Sequence, residues 1–420
     1  MLTLRGLIEY FKRFGMDHCD LPTMVDNVGI LLRVLTVNID SRHKKGIVIY
    51  AYILTIFTAV CFIYVFLISM AWFVFYRCRM TGQIIEAMVV LSLGITGEIG
   101  PFKLLYMCYH IVEIKKIAEN FLECDSLMVK GSRFHTNLMK RLRTVKRRAI
   151  VFWIVITGNG VFYVTTPALL PGRNLPENFY VIYGLEPMFE TPNYEIAYFL
   201  MIGGVFFICY VPATVTAYLI VITGYTEAQM LALSEEMVNL WPDAIKQAET
   251  ETGLSVAELS STEFEENIKN IANDFVTRRL CEIINRHATI INLLHRVETV
   301  FSQAIITGYL LLVLGILSEL LGKLENTFLQ MPFAFMQISM DCFAGQRVMD
   351  ASKQFEEAVY DCKWENFDKT NMKMVLVILT NSQKTMTISA GGVATLSFTS
   401  LMTVNRGIYS AYTALRSTMK

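Results

Sequence analysis

The side chains that most often carry out chemistry, cysteine and histidine, are scattered along this chain rather than clustered. The nine cysteines form no Cys-x-x-Cys pair, and none lies at zinc-finger spacing from histidine. His287 and His295 lie eight residues apart on one expected helix, and this spacing does not favour joint metal ligation. We treat both as ordinary helix residues, and we expect neither a metal centre nor a cofactor.

The sequence motifs of common enzymes are also absent. No Gly-x-Gly-x-x-Gly follows a strand, and the chain contains no P-loop, no His-Glu-x-x-His and no Gly-x-Ser-x-Gly. Glycines cluster instead at Gly94, Gly97 and Gly100 and at the pair Gly391 and Gly392, inside apolar segments where small residues permit close helix packing. We therefore expect that the protein is not an enzyme.

The last apolar segment is unusually rich in hydroxyl groups. A polar face on a membrane span points to protein or to water rather than to lipid, so this segment could line an aqueous pore, with hydrogen bonding between helices as the alternative. Arg406 would oppose cation flow inside a pore, and we expect it to pair with an acid away from the pore. The polar residues of this segment are Ser397, Thr399, Ser400, Thr403, Asn405, Arg406, Ser410 and Thr413.

The elements that position these residues are expected to be membrane helices. The chain has 420 residues, of which 54% are hydrophobic and 18% charged, with a mean hydropathy of +0.43. Soluble domains carry roughly 25% charged residues. A net charge of zero argues for neither nucleic acid nor a polyanionic substrate. No cleavable signal peptide is visible, so the first apolar segment is expected to be an uncleaved anchor.

A helix needs about 20 apolar residues to cross the hydrocarbon core. A polar cluster at 380–384 would be costly in lipid, so we place the start of the seventh span after it, near Ala390. The sequence thus predicts seven spans, near residues 47–72, 83–109, 148–168, 195–223, 297–319, 329–349 and 390–415.

The distribution of basic residues predicts the orientation of these spans. The connections on the side of the N-terminus hold 27 Lys and Arg residues, and those on the opposite side hold 6. The positive-inside rule therefore places the N-terminus in the cytoplasm and the C-terminus outside. G-protein-coupled receptors have the opposite topology, and their Asp/Glu-Arg-Tyr and Asn-Pro-x-x-Tyr motifs are absent from this chain.

The expected fold is an all-α membrane protein with this inverted topology and a helical cytosolic anchor region. The 224–296 connection has helical periodicity and continues without proline into the fifth span. The domains are a cytosolic segment (1–46), helices 1–4 (47–223), a cytosolic helical anchor (224–296), helices 5–6 (297–349), a second anchor segment (350–389), a pore-lining helix (390–415) and an extracellular tail (416–420).

The C-terminal third resembles the insect odorant receptors. Its motifs are Cys342-x-x-Gly345 with Ser352, Ala358, Tyr360 and Trp364; Ser382-Gln383-Lys384-x-Met386-x-Ile388-Ser389-Ala390-Gly391-Gly392; and Tyr409-Ser410-x-Tyr412-Thr413-x-Leu415-Arg416. The inverted topology and the long fourth-to-fifth connection are similar to that family over the whole chain. The segment Tyr183-Gly184-Leu185-Glu186-Pro187 is similar to moth members.

This resemblance implies a subunit of a tetrameric ligand-gated cation channel in the plasma membrane of olfactory neuron dendrites. A tuning subunit of this kind joins the shared co-receptor Orco in a heterotetramer, and the last helix lines the pore. The chain lacks the longer insertion expected of the co-receptor, so it resembles a tuning subunit. Ala414 and Thr418 match the family's hydrophobic constriction but are small or polar, so the co-receptor would supply the gate. The implied pore residues are Ser410, Thr413, Ala414 and Thr418.

A volatile ligand is then expected to bind by apolar burial in the outer half of spans two to six, with one or two polar contacts. Each aromatic side chain there could equally serve helix packing. The candidate ligand-binding residues are Met88, Leu91 and Ile95 on the second span, Phe152, Trp153 and Tyr163 on the third, Tyr194, Tyr198 and Phe199 on the fourth, Gln303 and Thr307 on the fifth, and Phe333, Phe335 and Met336 on the sixth.

Two other functions remain open. A gustatory receptor-like ligand-gated channel would share the topology but could work without the co-receptor. A membrane transporter is the more distant alternative, because transporters often show internal repeats and none is detectable here.

Overall fold

The apolar segments of the sequence form long helices in the computed structural model, which describes residues 13–40, 42, 46–252 and 262–418. In chain order the helices are α1 (Leu21–Val34), α2 (Ile49–Thr81), α3 (Ile84–Tyr109), α4 (Ile111–Ser126), α5 (Arg133–Ala168), α6 (Asn193–Val238), α7 (Leu240–Thr252), α8 (Thr262–Leu321), α9 (Leu324–Thr327), α10 (Met331–Tyr360), α11 (Lys369–Ser382) and α12 (Phe398–Thr418). A two-stranded antiparallel hairpin, β1 (Ser389–Ala390) and β2 (Ala394–Thr395), precedes α12.

Helix starts are set by side chains that accept hydrogen bonds from free backbone N–H groups. Asp20 accepts one from the N–H of Thr23 at the start of α1 (3.0 Å). Ser132 does the same for α5, and Asp368 for α11. Short polar side chains satisfy these donors well, which explains why each helix begins directly after one of them.

The first six predicted spans each lie on one long helix, apart from a few residues at their ends, and the seventh lies on a helix only from Phe398 onward. Within the described part of the chain, five helical segments are long and apolar enough to cross a membrane: α2, α3, α5, α6 and the Glu266–Leu321 part of α8. The other two predicted spans lie on α10 and α12, of 30 and 21 residues. These two are less apolar because α10 continues into charged sequence and α12 carries many hydroxyl groups.

The helix α6 lies at the centre of the bundle: in its most apolar stretch of 18 residues, 94% are buried inside the protein. Close packing against α5 depends on a residue without a side chain. A Cβ atom built on Gly160 would lie 2.6 Å from the sulfur of Cys209 on α6. A larger residue at position 160 would therefore push the two helices apart.

Several helices are much longer than a membrane crossing. The helix α8 has 60 residues, about 90 Å at 1.5 Å per residue, against about 30 Å of hydrocarbon. Its N-terminal part packs with α7, α10 and α11. The His287 ring contacts Phe355 of α10 at 4.6 Å, and the Thr277 hydroxyl donates to the side-chain oxygen of Asn371 on α11 (2.9 Å). Burial lowers the pKa of His287 to about 4, so this imidazole is neutral at physiological pH.

The start of the last helix differs from the prediction. The helix α12 begins at Phe398 rather than near Ala390, because Gly391 and Gly392 adopt positive φ angles of 62° and 71°, which an α-helix cannot contain. These two glycines turn the hairpin instead of packing a helix. The N–H of Gly391 donates to the carbonyl of Ser302 on α8 (3.0 Å). The helix continues past residue 415 to Thr418, the last residue that the structure describes.

Candidate ligand-binding site

A cavity of about 40 Å³ lies in the half of the bundle away from the basic connections. Five helices surround it: α2, α3, α5, α6 and α10. Its walls are mostly apolar, with a few amide and hydroxyl groups. The lining residues are Phe66, Leu93, Thr96, Asn159, Gly160, Tyr163, Val205, Ile208, Cys209, Leu329, Gln330 and Phe333.

The position of the Phe66 ring illustrates how local structure shapes this cavity. Phe66 lies in a π-helical stretch of α2, Ile63–Ser69, where the helix is wider than an α-helix. On α6, a Cβ atom at Gly204 would lie 2.6 Å from the Phe66 ring. The absence of a side chain at Gly204 thus lets the ring pack against the α6 backbone.

A polar network closes the outer end of the cavity. The Tyr163 hydroxyl donates to the carboxyl of Glu177 (3.2 Å), and the Gln330 amide donates to the same oxygen (3.0 Å). The Ser92 hydroxyl donates to the Gln330 side-chain carbonyl (2.8 Å). Glu177 belongs to the loop between α5 and α6 and is only 7% exposed. The network therefore ties this loop to α3, α5 and α10.

Burial changes the protonation of this network. Loss of solvation raises the pKa of Glu177 to about 7, although the hydrogen bonds from Gln330 and Tyr163 act in the opposite direction. Both of these partners are uncharged. The roof of the cavity can thus be neutral or negative near physiological pH. Among the described residues, no group of three His, Cys, Asp or Glu side chains could hold a metal ion.

The cavity is small for a ligand site. A volume of 40 Å³ accommodates a water molecule, whereas pockets that bind small organic molecules measure about 300–1,000 Å³. A ligand can therefore enter only when lining side chains rotate or helices separate. The arrangement is a small, mostly apolar cavity with hydrogen-bonding groups at Asn159 and at the roof.

Of the predicted ligand-binding residues, Tyr163 and Phe333 line this cavity. The others lie elsewhere in the same bundle. Met88, Leu91 and Ile95 are half-buried on α3, where Leu93 and Thr96 face the cavity instead. Phe152 is buried nearer the basic side of α5.

Three predicted aromatic residues lie near the outer end of α6 but outside the cavity lining. Tyr194 and Tyr198 stack at 6.1 Å, and their hydroxyl groups donate to the carbonyls of Asn174 and Val164. Phe199 contacts Phe57 of α2 at 5.3 Å. Their hydrogen bonds and ring contacts hold the loop and α2 in place.

The remaining predicted residues lie on other helix faces. Gln303 is exposed on α8, and the Thr307 hydroxyl donates to the carbonyl of Gln303. Phe335 is 47% exposed on α10, and Met336 is half-buried. Trp153 faces a different groove, between α1, α5 and α6.

The polar roof and the contribution of the first span were not predicted from the sequence. Phe66 lies on the first span, whereas the predicted pocket was limited to spans two to six, and Gln330 lies at the very start of the sixth span. Glu177 gave no signal that distinguished it from the other charged residues of this loop, which are Arg173, Glu186 and Glu190. No sequence pattern indicated that this loop folds inward over the bundle.

A buried ion pair lies towards the cytoplasmic side of this cavity. The Lys103 ammonium group is 3.3 Å from the carboxylate of Asp341 and also donates to the Thr216 hydroxyl (3.2 Å). The Thr216 hydroxyl in turn donates to the side-chain carbonyl of Gln337 (3.5 Å). This cluster joins α3, α6 and α10. One turn further along α10, Gly345 packs directly against the segment that follows the hairpin, since a Cβ atom there would lie 2.3 Å from the carbonyl oxygen of Leu396.

The predicted pore residues lie on the free face of α12. Ser410, Thr413 and Ala414 are exposed, while Ile408 is buried against the bundle. Thr418 is the last residue of α12, and its side chain lies outside the described residues. Arg406 is exposed and makes no ion pair with any described residue, so the expected acidic partner is not found in this part of the chain.

Comparison with known proteins places the chain among receptors. A family model described as "7tm Odorant receptor" matches residues 83–409. Odorant receptor Or2 of Anopheles gambiae is 23% identical over 265 residues, which cover 60% of this chain and 64% of the relative. Odorant receptor 22c of Drosophila melanogaster is 26% identical over 125 residues, 28% of this chain and 31% of the relative. The matched regions thus span less than two thirds of either relative.

The fold is similar to that of a solved structure. The olfactory receptor OR5 from Machilis hrabei superimposes with a TM-score of 0.69 at 13% identity, covering 94% of this chain and 98% of that chain. The structure of the same receptor in complex with eugenol gives a TM-score of 0.70 at 12% identity, covering 95% and 98%. At this identity the likeness shows a shared fold.

Proposed function

The chain belongs to the insect odorant receptor family, and from this premise we propose that it is the odorant-binding subunit of a ligand-gated cation channel. The family consists of receptors rather than enzymes, and its fold is seven transmembrane helices with the N-terminus inside. The observation that carries the proposal is the small, mostly apolar cavity with a polar roof in the outer half of the bundle.

The proposed ligand is a small, mostly apolar volatile molecule. It would displace side chains in the cavity and gain about 25 cal/mol for each Å² of apolar surface removed from water. Tyr163 and Phe333, with the neighbouring Asn159, are the contacts that we propose first. Contacts to the other predicted aromatic residues remain a prediction for larger ligands that open the cavity.

The proposed partner is the co-receptor Orco, in a heterotetramer in the plasma membrane of olfactory neuron dendrites. Exposed apolar side chains support an assembly: Leu376 and Val377 on α11 are 62% and 56% exposed, and Tyr360 is exposed near the end of α10. We therefore propose 224–296 and 350–389 as the anchor regions that hold subunits together. The exposed hydroxyl face of α12 would then line the pore, with the constriction supplied by the co-receptor.

Recording ligand-evoked current from cells that express this chain with and without the co-receptor tests this function. The proposal predicts a non-selective cation current, elicited by at least one member of a volatile panel, that requires both subunits. Current from this chain alone would instead favour a gustatory receptor-like channel. Uptake of labelled ligand without any current would favour a transporter, and either result would contradict the proposal.

A further inference from the structure

A second cavity lies near the cytoplasmic ends of the helices, between α1, α5 and α6. It has a volume of about 430 Å³, and its walls are almost entirely apolar. The residues that define it include Met24, Val28, Leu31, Ala149, Trp153 and Val221. We call it the inner groove. It is about ten times larger than the cavity proposed for the odorant, so it can hold a bulky apolar group without rearrangement.

Specific polar contacts keep the inner groove open. The Tyr210 hydroxyl of α6 donates to the carbonyl of Leu31 and holds one end of α1 (3.0 Å). The Lys146 ammonium group of α5 donates to the carbonyls of Arg13 (2.9 Å), Gly15 (2.6 Å) and His18, in the segment that precedes the N-terminal end of α1. Trp153 donates to the Thr214 hydroxyl (3.3 Å). The apolar space is therefore framed by hydrogen bonds and is a built feature of the fold.

The five arginines of α5 fall into two groups. Arg133, Arg141 and Arg148 pair with the carboxylates of Glu236, Glu235 and Glu227 on α6. Arg143 and Arg147, in contrast, are exposed and make no ion pair with any described residue. The acids that neutralise one face of α5 thus leave the other face positively charged.

The unpaired arginines lie on the same helix face as the inner groove. Residues three, four and seven apart share one face of an α-helix, which places Arg143 and Arg147 in line with Ile150 and Ile154. Ile150 and Ile154 line the groove. Along α5, this face therefore begins with guanidinium groups and continues with apolar side chains. The cytoplasmic leaflet has the same sequence of layers, with charged headgroups first and hydrocarbon deeper in the membrane.

We propose that the inner groove binds one anionic phospholipid of the cytoplasmic leaflet, with an acyl chain against Trp153 and the phosphate on Arg143 and Arg147. Arginine forms bidentate hydrogen bonds with phosphate oxygens, and two of them one turn apart can hold one headgroup. Lys146 is occupied by three carbonyl groups, so it takes no part in headgroup binding. Odorant gating is not required for this binding.

Quenching of Trp153 fluorescence by brominated lipids tests the proposal. The full-length receptor, assembled with its partner subunit in nanodiscs, would carry Trp72→Phe, Trp241→Phe and Trp364→Phe, with a tryptophan-free partner subunit. Brominated phosphatidylserine is expected to quench Trp153 at a severalfold lower mole fraction than brominated phosphatidylcholine. Because Arg143 and Arg147 are exposed, the variant Arg143→Gln/Arg147→Gln is expected to fold normally. It should lose the preference for brominated phosphatidylserine over brominated phosphatidylcholine.

Two further variants separate the parts of the site. Ala149→Phe fills the groove and should reduce quenching by both lipids. Lys269→Gln/Arg278→Gln removes two exposed charges from α8, far from the groove, and should leave the preference unchanged. Equal quenching by the two lipids, or an unchanged preference in Arg143→Gln/Arg147→Gln, would overturn the proposal. Relief of quenching by an odorant at its activating concentration would overturn it too, because the groove would then hold the odorant.

Discussion

Glu177 is a carboxyl group that the fold removes from water, and no described residue forms an ion pair with it. Its oxygen accepts hydrogen bonds from Tyr163 and Gln330, and both donors are neutral. Burial is therefore the larger influence, and it raises the pKa from 4.5 to about 7. The stability contributed by the neutral form is complete below pH 4.5 and is lost as the pH rises through 7.

Odorant sensitivity should consequently depend on external pH. An apolar ligand below the roof removes more water from Glu177 and so favours its neutral form. We expect the half-maximal odorant concentration to rise severalfold between pH 6 and pH 8, measured as evoked current. Glu177→Gln should flatten this dependence, whereas Glu190→Gln, an exposed position in the same loop, should not. An unchanged pH profile in Glu177→Gln would show that another group titrates.

The buried pair of Lys103 and Asp341 has a different character, since each charge is compensated by the other. Removing one partner leaves an unpaired buried charge, which costs about 3–5 kcal/mol, whereas apolar residues at both positions can be nearly neutral. We expect Lys103→Met to abolish most surface expression and Lys103→Met/Asp341→Leu to restore part of it. The exposed Lys140→Met is the control. Equal loss in the single and double variants would argue against this coupling.

At the scale of elements, the hairpin before α12 is the feature that the sequence did not reveal. Its residues 389–395 carry no charge and follow the polar cluster at 380–384, so the prediction placed the start of the helix near residue 390. The deciding factor is the backbone at Gly391 and Gly392, which turns with positive φ angles. A glycine pair has the same hydropathy value whether it lies inside a helix or in a turn, so hydropathy does not distinguish the two.

This hairpin links α8 to the last helix, so its two glycines should differ in their tolerance of substitution. Alanine at either position adopts an unfavourable φ angle, which costs about 1–2 kcal/mol. At Gly391 the new Cβ would also lie 2.9 Å from Ile306, while at Gly392 it meets no atom within 4 Å. We expect Gly391→Ala to reduce evoked current more than Gly392→Ala at matched surface expression. The reverse order would mean that the hairpin does not pack on α8 as described.

The candidate site could be predicted from the sequence only in part, and helix rotation explains the difference. Phe333 and Phe335 are two residues apart, so their side chains lie on nearly opposite faces of α10, and only Phe333 lines the cavity. In a soluble helix the polar face would reveal which side is inward. A span that faces lipid is apolar all round, and this cue is lost. The residue types could therefore be predicted, but not which of them face the cavity.

For the whole molecule, the alternation of apolar and charged segments predicted an all-helical membrane protein, and the family match and the fold likeness confirm this fold class. The sequence also predicted that the fifth span continues into the cytosolic region, as α8 does. The folding of the loop bearing Glu177 over the bundle depends on contacts between residues more than 150 positions apart, such as Gln330 with Glu177. Periodicity within one segment carries no information about such contacts.

The exposed apolar face of α11 makes a prediction about assembly. If this face contacts other subunits, an aspartate there should weaken the heterotetramer without unfolding the chain. We expect Leu376→Asp/Val377→Asp to lower co-purification with the co-receptor severalfold. Thr380→Asp adds a charge at an exposed polar position of the same helix and should have little effect. Undiminished co-purification of Leu376→Asp/Val377→Asp would place the anchor contact elsewhere.

Paired substitutions on α10 distinguish an odorant that acts from within the cavity of about 40 Å³ from one that binds elsewhere on this helix. We predict that Phe333→Ala raises the half-maximal odorant concentration about tenfold or more in cells with the co-receptor. A tenfold change equals about 1.4 kcal/mol, less than the roughly 1.5–3 kcal/mol gained by burying a phenylalanine. Phe335→Ala, on the opposite face, should leave potency unchanged at equal surface expression. Loss of potency in Phe335→Ala with none in Phe333→Ala would contradict binding within this cavity.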